Sequence, residues 1–179
     1  MTLVSVEDTF LVDDDGGANG TQSTLDIGQN ATAVGLFRFE LGAAAAAVKA
    51  GRARATLFLR VDHSANFGEP GTAKVFPVRD GWRESEATWR LAASSVQWQV
   101  PGARGAEDRG GAVGGGAVTS ASKGAEIQIP LDDLEVGASW VTKERLSLLV
   151  EPSGSLRASV VAREAFDSRF PRLEVRYCP

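Results

Sequence analysis

Arg79-Asp80-Gly81-Trp82-Arg83-Glu84-Ser85-Glu86-Ala87-Thr88-Trp89 is the stretch whose reading decides the fold. It holds two of the four tryptophans, with charged and hydroxyl residues between them. Each indole has a large apolar surface to bury and one N–H that needs a partner. A segment this polar keeps two such rings only where something apolar receives them. Glu84, Ser85 and Thr88 belong to residue types that bond nearby backbone in turns and caps. The strand-like run Lys74-Val75-Phe76-Pro77-Val78 leads into the stretch. The expectation is a folded corner clamped onto a β-sandwich, with Trp82 and Trp89 holding it.

Short β-rich runs on either side agree with this. Residues 3–12 read as a first strand, followed by a turn cluster, Asp13-Asp14-Asp15-Gly16-Gly17-Ala18-Asn19-Gly20. A second strand spans 24–27. In residues 34–41, Leu36, Arg38 and Glu40 share one face, and Phe37, Phe39 and Leu41 the other. Ala43–Ala50, bracketed by Gly42 and Gly51, is the best helix candidate because alanine has the highest helix propensity. It is too short to stand alone and is expected to pack over one end of the sandwich. Residues 52–61 alternate over both faces. Val96, Trp98 and Val100 read as one face of a further strand. Residues 101–124, with the core Gly-Gly-Ala-Val-Gly-Gly-Gly-Ala-Val, read as a long flexible loop because they bury too little apolar surface to order themselves. Later strands follow at 125–130, 146–151, 158–162 and 173–177, with a turn or short helix at 131–134. The sum is an all-β, antiparallel, jelly-roll-like sandwich of about ten strands in a single domain over 1–179. No strand–helix alternation points to a parallel sheet.

At 179 residues the chain is long enough to bury one full core. With 43% hydrophobic and 23% charged residues, it reads as a soluble globular domain. A net charge of −4 argues against nucleic acid as a partner. No apolar run approaches the roughly 20 residues of a membrane helix. Residues 1–8 show neither a basic region nor an apolar core, so no signal peptide is expected there. The lone cysteine, Cys178, excludes an internal disulfide and reads as an incidental thiol. With one histidine, His63, and one cysteine, a His/Cys metal cluster is impossible. His63 reads as a loop residue, and the chain as non-enzymatic.

The order of motifs resembles the DNRLRE domains, disaggregatase-related β-sandwich modules grouped with carbohydrate-binding module family 96. Glu7-Asp8-Thr9-Phe10 is similar to the family's opening Asp-Thr-aromatic, and Asn19-Gly20 with Ser23–Gly28 to its turn and second strand. Leu36–Leu41 and Ala53–Leu59 resemble the two strands that follow. Trp82, Glu84-Ser85 and Thr88-Trp89 match its Trp-x-Glu-Ser…Thr-Trp corner, the most specific likeness. Ala162-Arg163-Glu164 and Pro171-Arg172-Leu173 resemble its closing pair. Arg90 stands where the family has Asn, Ala162 where it has Ser, and the alanine run and glycine-rich stretch have no counterpart. The resemblance implies a jelly-roll-like sandwich in an extracellular or cell-surface setting, often beside polysaccharide. The expected role is a non-catalytic carbohydrate-binding module of a bacterial surface or secreted system. The alternative is a structural subunit of an extracellular filament, coat or appendage, with other copies of the chain as partners.

Sugar binding needs exposed aromatic faces beside planar hydrogen-bonding groups. Trp98, Trp140 and Phe67 are the aromatic candidates, each weighed against simple core packing. Arg104, Arg83 and Arg90 are the cations for an anionic ligand such as a uronate polymer. Calcium takes 6–8 oxygen ligands. Asp13, Asp14, Asp15 and Asn19 place such oxygens on one turn, where a solvated acidic turn is the competing reading. Asp8, Asp132 and Asp133 are possible additions from other loops. Arg163 and Glu164 read as a structural ion pair or as backbone hydrogen-bonding groups in the corner that the resembled family shares.

Overall fold

A computed structural model describes the chain except for residues 14–16, 29–31, 63–69, 133, 166–169 and 178–179, and except for the side chains of 135–137. His63, Phe67, Asp14, Asp15, Asp133 and Cys178 therefore lie outside the described residues. Twelve strands are described: β1 Thr2–Leu11, β2 Thr24–Ile27, β3 Val34–Glu40, β4 Ala53–Arg60, β5 Gly71–Val78, β6 Leu91–Ala93, β7 Val96–Gln97, β8 Gly114–Val118, β9 Glu126–Leu131, β10 Arg145–Gly154, β11 Ala158–Val161 and β12 Arg172–Tyr177. A single α-helix, α1 Ala45–Lys49, follows a 3-10 turn at Gly42–Ala44.

Eight strands form one antiparallel sheet in the order β8-β5-β10-β3-β1-β12-β4-β9. Its fold is set by β1. Residues 2–4 pair with β12, whereas 5–11 pair with β3, and a bulge between Ser5 and Glu7 lies within the second ladder, just past the switch. A bulge bends and twists the strand that carries it. The sheet thus turns at β1 into two layers, β1-β12-β4-β9 and β1-β3-β10-β5-β8, giving a nearly closed barrel or sandwich. The fold class is all-β and antiparallel with one short helix, as the sequence indicates.

Alternation fills the interior. Phe37 and Phe39 from β3, Leu146, Leu148 and Val150 from β10, Leu57 and Leu59 from β4, and Leu173 and Val175 from β12 meet in one core. Ala44, Ala45 and Val48 cap that core from the short helix, at the position expected for 43–50.

The opposite face of the second layer is apolar as well. Val34, Leu36, Val78 and Leu149 point away from the interior into a second core made with Trp82, Ala87, Trp89, Ala92, Trp98 and Ala103. The excursion 79–113 is the cover for that outer face. At ~25 cal/mol per Å², an indole burying about 200 Å² contributes roughly 5 kcal/mol of transfer free energy. Trp82 and Trp89, 1% and 8% exposed, hold the corner as expected.

Two expectations need correction. The glycine-rich stretch 101–124 contains strand β8, paired in register with β5. A Cβ at Gly114 would lie 2.2 Å from the Pro130 carbonyl oxygen, and one at Gly116 would lie 3.1 Å from Ile129 Cγ1. The glycines let β9 close over β8, so low side-chain volume here is a packing requirement. The expected strand 96–100 is only the two-residue β7, and Trp98 turns inward at 4% exposure while Val96 and Val100 stay exposed.

Candidate functional site

Segments far apart in sequence meet where the corner joins the sandwich. Glu84 accepts the backbone N–H of Asp8 at 2.8 Å, and both its oxygens take the Arg163 guanidinium, at 3.0 and 3.2 Å. Arg163 also pairs with Glu164 at 2.6 Å. The Arg163 backbone N–H donates to Asp8 at 3.0 and 3.3 Å, and the Ser5 hydroxyl donates to it at 3.0 Å. Gly20 closes the arrangement: a Cβ there would lie 2.3 Å from Glu84 Cγ. The motif residues Asp8, Gly20, Glu84, Arg163 and Glu164 thus occupy one knot. Glu84 serves a distant strand here, not its own turn, whereas Thr88 does bond local backbone, accepting from Leu91 N–H at 3.1 Å. The ion pair expected for Arg163 and Glu164 is present and extends to Glu84.

Asp8 is fully buried. Burial, then repulsion from Glu164, and last from Glu84, push its pKa up to about 7, against the hydrogen bonds from Ser5 and Arg163. Carboxylate oxygens of Asp8, Glu84 and Glu164 lie within 4.8 Å of one another. The fit to a metal is poor. Arg163 already supplies a cation to Glu84 and Glu164, and the Asp8 oxygens are taken by an N–H and a hydroxyl. The knot serves as a brace.

Beyond Glu84 the surface opens into a polar cleft of about 480 Å³. Its walls include Glu7, Arg38, Asp80, Arg83, Lys143 and Arg145, together with Glu84 and Trp82. Arg38 forms the floor, 5% exposed. Its guanidinium lies over the Trp82 ring, 4.3 Å from the centroid, and donates to the Trp82 carbonyl at 2.7 Å. It pairs with Glu7 and, at 3.1 Å, with Asp80. Burial lowers the Arg38 pKa, while Asp80 pulls it back up. The Trp82 indole N–H is buried without a hydrogen-bond partner among the described residues; the apolar contacts of its ring and the cation over its face hold it instead. The rim is cationic. Arg83 and Arg145 make only loose pairs, with Glu86 at 3.4 Å and Glu40 at 3.6 Å, and Lys143 makes none among the described residues.

The residues proposed from sequence lie elsewhere. Trp98 is buried in the second core, where its indole donates to the Thr88 carbonyl at 3.0 Å and Arg79 covers its ring. It presents no open face. Trp140, half-buried, ends a 3-10 segment, Leu134–Trp140, and packs against Gly110. Arg104 pairs with Glu151 at 2.9 Å and sits over Trp89. None of Trp98, Trp140 and Arg104 lines the cleft. Asp13 is exposed, and Asn19 donates its side-chain amide to the Phe10 carbonyl at 3.2 Å. Of the cations considered from sequence, Arg83 alone borders the cleft. Arg38 was visible as a charge on the same strand face as Leu36. Lys143 and Arg145 carried no signal beyond a short polar gap between Val141 and Leu146.

No protein-family model matches the chain, and no curated protein matches it either.

Proposed function

We propose that the chain is a non-catalytic carbohydrate-binding module of a bacterial surface or secreted system, and that the cleft beside the tryptophan corner takes an acidic saccharide. The observation that carries this is the charge arrangement in a cleft of about 480 Å³, within the size range of small-ligand sites. The interior charges are mutually compensated, Arg38 by Glu7 and Asp80, and Glu84 by Arg163. The rim cations Arg83, Lys143 and Arg145 remain for a ligand. Trp82 and Trp98 present no open ring, so affinity rests on charge and hydroxyl contacts, and that favours a carboxylated or sulfated polymer over a neutral one. The non-catalytic reading draws on the acids of the cleft. Each is committed to an arginine, which leaves no free pair for the acid–base work of glycoside hydrolysis.

A titration panel of neutral and acidic polysaccharides, read by calorimetry, tests the proposal. Saturable binding of a uronate or sulfated polymer that weakens with salt is expected. No response across the panel refutes it. The rival role as an assembly subunit draws support from the outer face of the first layer, where Val4 is 47% exposed and Arg54, Gln128 and Arg176 are also open. Light scattering separates the two: particles that grow with concentration favour assembly, and a monomer at every concentration and salt level removes it. Calcium at the turn holding Asp13 and Asn19 is a separate proposal, and a melt unchanged by chelator removes it.

A further inference from the structure

We infer that Lys143 sets the preference of the cleft for acidic over neutral saccharide, and that its turn is held in an unfavourable backbone conformation to keep the ammonium on the rim. The inference rests on the saccharide reading above. Thr142 and Arg145 exchange both backbone hydrogen bonds, at 3.1 and 2.8 Å, which makes 143–144 a two-residue turn at the head of β10. Both residues adopt positive φ, 49° for Lys143 and 61° for Glu144. A two-residue turn with positive φ at both positions favours Asn-Gly, because side chains beyond Asn and Asp meet their own backbone there. Neither position has a residue suited to it. The conformation is imposed from outside the turn, since Leu41 N–H donates to the Glu144 carbonyl at 2.7 Å and ties the turn to the end of β3.

Lys143 returns nothing to the fold for this strain. Its side chain is exposed and makes no ion pair or hydrogen bond among the described residues. The other cations of the cleft all have a carboxylate: Arg38 has Glu7 and Asp80, Arg83 has Glu86, and Arg145 has Glu40. The acids that share its walls, Glu7, Asp80 and Glu84, are engaged by Arg38 or Arg163. Lys143 is therefore the one unpaired charge described on the cleft, on a backbone that costs stability to maintain. Backbone strain kept where a side chain faces a binding surface is a recurrent pattern of functional sites. Glu144 shares the strained turn but does not line the cleft, and it supplies the internal control.

The experiment compares the wild type with Lys143→Asn, Lys143→Gly and Glu144→Gly. Each is titrated with a linear oligouronate and with a neutral hexose oligomer of the same linkage. Both Lys143 variants are expected to lose roughly five- to twentyfold in oligouronate affinity and nothing toward the neutral oligomer. Glu144→Gly is expected to bind like the wild type. Both glycine variants are expected to melt higher, by roughly 2–6 °C. Lys143→Asn, which tolerates positive φ, separates loss of charge from any change of the turn. If Lys143→Asn binds the oligouronate as tightly as the wild type, the inference fails and the saccharide reading stands. If the wild type binds neither oligomer, both fail. If neither glycine variant gains stability, the strain argument fails.

Discussion

Asp8 makes the stability of the fold depend on pH near neutrality, in a direction opposite to that of an ordinary carboxylate. It is fully buried on β1, it faces Glu164 and Glu84, and its pKa is pushed up to about 7, first by burial and then by those two acids. The folded protein therefore holds this proton more tightly than the unfolded chain, where an aspartic acid titrates near 4. Stability from this group is complete below about pH 4 and is lost as the pH rises through about 7. Between pH 6 and pH 8 the loss amounts to roughly 1–2 kcal/mol. For a domain of this size that is a fall in melting temperature of roughly 2–6 °C. Urea denaturation at pH 6, 7 and 8 measures it, with Asp8→Asn as the partner variant. The asparagine keeps an acceptor for Ser5 and the Arg163 N–H and adds a donor beside Glu164, whose Oε2 is buried without a partner among the described residues. Its stability is expected to vary much less over the same window. Equal slopes in the two proteins, or a wild type that grows more stable from pH 6 to pH 8, refute the reasoning.

The packing claims make further predictions. Trp89→Ala should cost roughly 3–5 kcal/mol in urea denaturation, because the ring is buried against Gly102 and beneath Arg104; a near-neutral result means that the corner does not hold the outer face. Gly114→Ala should cost roughly 1–3 kcal/mol or more by overpacking against the Pro130 carbonyl. Gly81→Ala, with nothing within 4 Å of the added carbon, should stay within about 0.5 kcal/mol. Asp108→Ala should cost roughly 2–4 kcal/mol, since this buried carboxylate accepts the backbone N–H groups of Gln99, Val100 and Gly105.

How much of this was legible in the sequence follows from which interactions are local. Alternation in 34–41 assigns Phe37 and Phe39 to one side and Leu36 and Arg38 to the other, because a strand has period two whatever it packs against. The tryptophan corner was legible because two indoles in a polar segment need an apolar host, and the unused Leu36 face of β3 supplies it. Strand β8 was not legible. Its glycines are chosen by the approach of β9, a neighbour that no local window contains, and glycine looks the same in a close contact as in a loop. The cleft was illegible for a related reason. It is assembled from β1, β3, the corner and the head of β10, and the charges on it are ordinary residues until the fold brings them together. Trp98 shows the reverse error: an aromatic in a strand-like run looks available for a ligand until the outer face claims it.

The knot and the cleft share Glu84, and this limits what a mutation can report. One carboxylate braces β1 to the corner through the Asp8 N–H and Arg163, and the same residue lines the cleft. Arg38 is similarly double, a cleft floor that also carries the Trp82 ring and bonds its carbonyl. Removing Arg38 leaves the Asp80 carboxylate buried without its arginine, and removing Glu84 leaves the Asp8 N–H without its acceptor, losses of a few kcal/mol. Ligand binding would fall in such a variant whether or not the residue meets the ligand. The rim separates the two effects. Lys143 is exposed and unpaired among the described residues, and Arg83 and Arg145 give up only loose pairs on the surface, contacts worth about 1 kcal/mol or less. A change of affinity there, at constant stability, reports on the ligand alone. A cleft whose floor is welded into the corner and whose rim is only loosely paired keeps its shape while its charge pattern changes, so on the proposed saccharide reading a change of ligand preference would need substitutions only at the rim.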